Sequence, residues 1–302
     1  MFKKKGQITI FIILGIILLL SAALFFFLRQ EVSVFKPTAL IPPEIVPVNQ
    51  FILDCVESIA EDGANILGAN GGFIYIPDEI KTETSAYLPP FEISPIKTVL
   101  WYYRGQKRVP PLDYMRLELV TYIEENLPAC LQGFDAFNKT FNITELGKIS
   151  SAVKLGEEDF TVDVNYPLDV ILKAKEQKFF IEDFSISIPY RIKKMHELAN
   201  QILERELISK YFEERTIDFI AMHPDIPYTD MAFSCSGKKW ELKDVQAKLK
   251  KLLSVNLPRI NVDKTDFAPI PDEFPYEQNH FIWNVLEERY PDTHVSFSYD
   301  ES

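Results

Sequence analysis

Residues 149–188 read ISSAVKLGEEDFTVDVNYPLDVILKAKEQKFFIEDFSISI, and their alternation points to a β-sheet. Ile149, Ser151, Val153 and Leu155 alternate with polar residues. After Gly156 so do Phe160, Val162, Val164 and Tyr166, then Leu168, Val170, Leu172 and Ala174, then Phe184, Ile186 and Ile188. Successive side chains of a strand point to opposite faces, so a period of two marks a sheet with one apolar and one polar side. Thr161, Asp163 and Asn165, then Asp183, Ser185 and Ser187, take the polar side. Four consecutive strands with short polar turns predict an antiparallel meander. Its apolar side needs a cover. Pro189 ends the last strand, and the stripe Ile192, Met195, Ala199 and Ile202 predicts a helix able to supply one. The expected fold class is α+β, a four-stranded antiparallel meander packed on helices.

Upstream, the period is helical. Asn49 is read as the cap of a helix reaching Leu67, stopped by Gly68-Ala69-Asn70-Gly71-Gly72. This Gly-rich loop follows a helix and leads into Phe73-Ile74-Tyr75-Ile76, read as a strand. A phosphate loop has the opposite polarity, with the helix after the loop. Ile96–Tyr103 reads as a second strand, Arg104–Arg108 as a polar turn, and Pro111 with Asp113 as the start of a helix closed by Pro128. The organisation expected is a first α/β lobe over residues 49–138 and a lobe of β-meander plus helix over 139–302. Within the second, Lys238–Val255 reads as an amphipathic helix with Leu242, Val245, Leu249 and Leu252 inward. His280–Val285 and His294–Tyr299 read as final strands.

The N-terminus is MFKKKGQITIFIILGIILLLSAALFFFLR. Ile8 to Leu28 is 21 residues without a charge, and a helix rising about 1.5 Å per residue over that length crosses a hydrocarbon core of about 30 Å. Residues 8–28 are therefore expected to be a transmembrane helix contacting membrane lipid. Lys3, Lys4 and Lys5 keep a short basic tail, residues 1–7, cytoplasmic, and place the C-terminal domain outside. Residues 29–48, with Pro37, Pro42, Pro43 and Pro47, read as an extended stalk.

Lys4-Lys5-Gly6-Gln7 directly before the apolar run resembles the class III signal sequence of archaeal pilin-like proteins. The resemblance implies cleavage between Gly6 and Gln7, with the hydrophobic helix left on the mature chain. Those proteins commonly carry Glu at the fifth mature position; here it is Phe11. Four further pieces, the N-terminal KKGQITIFII, Gly71–Pro77, Trp101-Tyr102-Tyr103 and Glu125–Cys130, make the first half of the chain similar to an uncharacterised group of membrane-anchored archaeal surface proteins. That similarity implies a surface location and transfers no activity.

Composition agrees with an outward-facing, folded domain. The chain is 47% hydrophobic, and its 44 Asp plus Glu outweigh 32 Lys plus Arg. Nucleic acid, whose phosphates demand basic surface, is not an expected partner. Of the three cysteines, Cys55 lies on a helical stripe with Ile52, Val56 and Ile59, and Cys130 on one with Leu119, Ile123 and Leu127. If those faces pack, Cys55 and Cys130 pair in a disulfide; the alternative is two buried thiols. Asn138-Lys139-Thr140 and Asn142-Ile143-Thr144 are candidate glycosylation sequons, placed in a polar stretch between elements.

Candidate chemistry is sparse. Met195–Asn200 approaches a zinc-protease helix, but Asn200 stands where the second His belongs. His223, Asp225 and Asp230 form a loop of possible metal ligands, without a further ligand in register. No nucleophile elbow occurs, and Cys235 with His223 has no supporting pattern. No cofactor and no catalytic residue are therefore expected. Lys238, Lys239, Lys243, Lys248, Lys250 and Lys251 are the one basic concentration, a candidate surface for an anionic partner. The functional expectation is a membrane-anchored extracytoplasmic protein with a structural or interaction role, self-associating or binding another envelope protein. A pilin-like subunit and an envelope-bound hydrolase are the alternatives.

Overall fold

The computed structural model describes residues 41–89, 96–223, 226, 239–266 and 282–299. Gly6, Gln7 and the expected transmembrane helix 8–28 lie outside the described residues, as do residues 29–40 of the expected stalk. The helices, in chain order, are α1 (Val46–Ala69), α2 (Asp78–Lys81), α3 (Leu112–Leu131), α4 (Ile192–Ser209), α5 (Tyr211–Met222) and α6 (Leu242–Asn256). The strands are β1 (Tyr87–Leu88), β2 (Thr98–Val99), β3 (Tyr102–Tyr103), β4 (Gln106–Lys107), β5 (Phe141–Glu145), β6 (Ser150–Leu155), β7 (Phe160–Leu172), β8 (Gln177–Ile188), β9 (Asn261–Val262) and β10 (Ile282–Trp283). The chain is mixed α+β. It divides into two compact units, residues 1–50 and 51–302, so the boundary expected at residue 138 falls inside the second.

Of the first unit, residues 41–50 are described. Pro42 to Ile45 make a turn, with the Ile45 N–H donating to Pro42 O at 3.0 Å, and α1 begins at Val46. The helix thus starts before Asn49, and the last residues assigned to the stalk are helical. Pro47 is tolerated because the N–H groups of a first helical turn have no intrahelical acceptor.

In the second unit the long sheet has four strands, but not the four expected. No break occurs at Pro167. β7 runs through it, pairing antiparallel with β8 along its whole length on one side and with β6 and then β5 on the other. A proline has no N–H for the ladder, so a central strand can carry one only at an irregularity. Here the register slips between Asn165↔Asp183 and Leu168↔Ile181, a bulge that sets Tyr166 and Pro167 against Glu182. On the opposite edge Leu146 to Ile149 separate β5 from β6, and the Leu146 N–H donates to Pro167 O at 2.9 Å. Gly147 passes so close that a Cβ there would lie 2.7 Å from Pro167 Cγ. The bulge also explains Phe180, 55% exposed, because it shifts the inward phase of β8 between Phe179 and Phe184.

The apolar side of the sheet, with Phe160, Val162, Val164, Tyr166, Leu168 and Val170 buried from β7, is covered by α3. This corrects the expected lid, α4. Met115, Leu119, Ile123, Leu127 and Leu131 are buried at helical spacing, and α3 packs on β6. The Ser151 N–H donates to Glu124 Oε1 at 2.6 Å, fixing helix to strand. Each such aliphatic side chain contributes roughly 1.5–3 kcal/mol when fully buried. Pro128 lies inside α3 rather than ending it; the helix closes four residues later at Gln132, in the left-handed region. Antiparallel α1 lies beside α3, joined by a Cys55–Cys130 disulfide with Cα atoms 5.9 Å apart. Gly63 lets the helices approach, since a Cβ would come within 2.9 Å of the Tyr122 ring.

Instead of crossing the sheet, α4 starts against the β6–β7 turn, where Lys194 Nζ lies 2.8 Å from Glu158, and runs to a second core. There Leu198 joins Ile260, Val262, Trp283, Leu286 and Tyr290. Two of its four stripe residues, Met195 and Ala199, are exposed. The second core is closed by the parallel pair β9–β10, while residues 294–299 form no strand.

The segment 73–76 is not a strand either. Ile74 and Tyr75 give their N–H groups to the carboxylate of Glu118 on α3, at 2.6 and 3.3 Å. Likewise 96–103 is two short pieces: β2 pairs with β1, and β3 turns back into β4 through Arg104 and Gly105, both at positive φ as a tight hairpin requires.

Candidate functional site

Two arrangements of titratable groups stand out in the second unit. The first is Glu118, 6% exposed. Burial raises its pKa, while the N–H groups of Ile74 and Tyr75 and the Tyr114 hydroxyl act in the opposite direction. Tyr75, on the same cluster, donates to Glu125 Oε2 at 2.5 Å. Every strong acceptor of Glu118 is thus occupied by the chain itself, and the group serves as a clamp between α3 and the 73–77 segment.

The second is the joint between α4 and α5. Lys210 takes the left-handed conformation and ends α4, its N–H donating to Glu206 O at 2.8 Å. Chain direction changes there, leaving the first N–H groups of α5 without helical acceptors. The Glu206 carboxylate accepts two of them, Tyr211 N–H at 3.1 Å and Phe212 N–H at 3.0 Å. Glu213 stands next to it. The pair opens on a shallow depression of about 460 Å³ lined by Glu206, Phe212, Glu213, Thr216 and Ile217. Burial, then the hydrogen bond with Glu213, push the Glu206 carboxyl up to about 7, against the two N–H donors. A carboxyl group whose pKa is raised to about 7 can act as an acid or base near neutrality. No repeat or motif in the sequence announces this pair, because the αL residue that brings Glu213 back to Glu206 is a lysine and not a glycine.

A pH dependence follows. The folded chain holds the Glu206 proton above the ordinary glutamate value of 4.5, so this joint's contribution to stability is complete below that pH and declines as pH rises through about 7. The thermal midpoint of the intact chain is expected to fall between pH 5 and pH 8, and Glu206→Gln to flatten that fall. An unchanged slope in Glu206→Gln would place the titration elsewhere.

The residues singled out in the sequence do not converge on either arrangement. His196 is half-buried, its Nε2 2.8 Å from Pro110 O and its ring 5.4 Å from that of Trp101. His223 follows α5, while Asp225, Asp230, Cys235 and Lys238 lie outside the described residues. Among the described residues no group of three His, Cys, Asp or Glu is placed to hold a metal ion. Asn138 is exposed at the end of a 3-10 turn, its Nδ2 donating to Asp135 Oδ1 at 2.9 Å. Asn142 is also exposed, but sits in strand β5 opposite Ile171 and not in a connecting stretch. Lys243, Lys248, Lys250 and Lys251 lie on α6, with Lys239 just before it. That helix buries no residue completely, and Leu242, expected inward, is 72% exposed. Among the described residues no helix is long and apolar enough to cross a membrane. Comparison of the chain with protein-family models, with curated proteins and with solved structures found no match.

Proposed function

We propose that the chain is a membrane-anchored extracytoplasmic protein with a structural or interaction role at the cell envelope. The observation that carries this reading is the Cys55–Cys130 disulfide, because such bonds form and persist in oxidising compartments outside the cytosol. The apolar run 8–28 behind three lysines supports the same topology, with the tail inside and the C-terminal domain outside. Exposed Asn138 and Asn142 are accessible to envelope glycosylation. A pilin-like subunit, cut between Gly6 and Gln7 and assembling through its N-terminal helix, is the second reading, favoured by Lys5-Gly6-Gln7.

Protease added to intact cells is expected to degrade residues 41–302 while the N-terminal tail stays protected. Chain taken directly from cells is expected to leave Cys55 and Cys130 unreactive to an alkylating reagent until reduced. Protection of the folded part until the membrane is permeabilised defeats this reading. A mature N-terminus at Gln7 selects the second reading, and one at Met1 or Phe2 removes it.

A further inference from the structure

We propose that α6 is a peripheral docking element for an anionic lipid surface, an inference that rests on the membrane-anchored reading above. The helix carries four lysines against the single acid Asp244, in a chain whose net charge is −12. Lys243, Lys250 and Lys251 fall within about 100° of one another around the helix axis, at seven- and eight-residue spacing. Leu242, Leu249 and Leu253 occupy a separate stripe, at seven- and four-residue spacing. The protein body uses only part of it. Leu249 and Leu253 are half-buried where α6 packs near α5 and the following 3-10 turn, whereas Leu242 is 72% exposed and Trp240, just before the helix, is 43% exposed. Trp240 lies just before the helix, and exposed Lys239, Lys243 and Lys251 outnumber exposed Glu241 and Asp244 along this stretch; exposed apolar residues beside a basic surplus have the chemistry of an interfacial helix. Tryptophan and leucine enter the headgroup boundary, and lysine ammonium groups meet lipid phosphates. Lysines near such a surface are drawn to it by charge alone, so the attachment is reversible and dependent on salt. The charge complementarity selects anionic headgroups over zwitterionic ones, and a chain tethered to the same membrane needs only this weak second contact.

The test uses the full chain in a Cys235→Ser background, with Leu242→Cys carrying an environment-sensitive fluorophore, mixed with vesicles of pure phosphatidylcholine or with 30% phosphatidylglycerol. Vesicle flotation reports the tether; quenching of the probe by lipid-borne nitroxide reports docking. The expected result is flotation with both vesicles, and quenching at least threefold stronger with phosphatidylglycerol. That excess should be lost in 0.5 M salt and in the triple variant Lys239→Gln, Lys243→Gln, Lys251→Gln, and kept in the corresponding arginine variant. Flotation with equal, weak quenching in both vesicles overturns the docking while leaving the tether. Flotation only with phosphatidylglycerol, abolished by the lysine variant, supports docking and overturns the tether; flotation with neither overturns both. A probe shielded equally in both vesicles and only at high protein density assigns the face to a second copy, and the lipid proposal falls.

Discussion

Cys130→Ser is expected to destabilise the second unit by about 4 kcal/mol on the chain-entropy account of a cross-link. The bond spans a sequence separation of 75, so its loss frees a long loop in the unfolded chain. Little in the folded state replaces it. α1 and α3 still pack at Gly63 and Tyr122, but their alignment then rests on side-chain contacts alone. Cys55→Ser and the double variant should lower the denaturation midpoint by the same amount as Cys130→Ser, since all three remove one bond. Reduction of the native chain should reproduce the shift, and a midpoint insensitive to reductant would contradict the prediction. Because α3 is the cover of the long sheet, near-ultraviolet circular dichroism should also weaken, through the Phe134 ring that stacks 6.3 Å from Tyr166.

Trp283→Ala is expected to cost about 3–5 kcal/mol, as truncation of a large buried aromatic usually does. Its ring stacks on Tyr211 at 4.7 Å with 7° between planes, meets Phe212 edge-on at 5.1 Å, and contacts Phe297 at 6.1 Å. Tyr211 and Phe212 are also the residues whose N–H groups bond Glu206. Loss of the indole therefore removes the packing partner of the α4–α5 joint. Limited proteolysis should cut residues 257–266 and 282–299 in Trp283→Ala faster than in the native chain, with the long sheet retained. A loss below about 1 kcal/mol, well under the range for a buried aromatic, would mean that the second core adds little to the cooperative unit.

Legibility followed the range of the interactions. The strands of the long sheet showed in the sequence because a period of two is written between neighbours in the chain. The bulge did not, because Pro167 looks locally like a strand end; only a partner on each side of β7, with Gly147 clearing the ring, carries the strand through it. Phe73–Ile76 had the composition of a strand, yet its N–H groups found Glu118, 44 residues away for Ile74. The stripe of α4 reads as an apolar face, but a stripe names no partner. Two helices of the chain could cover one sheet, and the one stapled to α1 did. At the candidate sites the contrast is sharper. The lysines of α6 are close neighbours in sequence and form a visible pattern, whereas Glu206 and Glu213 meet only because Lys210 turns the chain.

The α+β class, the alternating faces of the long sheet and the concentration of lysines on one helix are legible without the fold, since each is a pattern of near neighbours. Which helix covers the sheet, where the strand bends and which two glutamates meet at the α4–α5 joint are settled by packing. Those outcomes depend on surfaces that are far apart along the chain and come together only in the packed state.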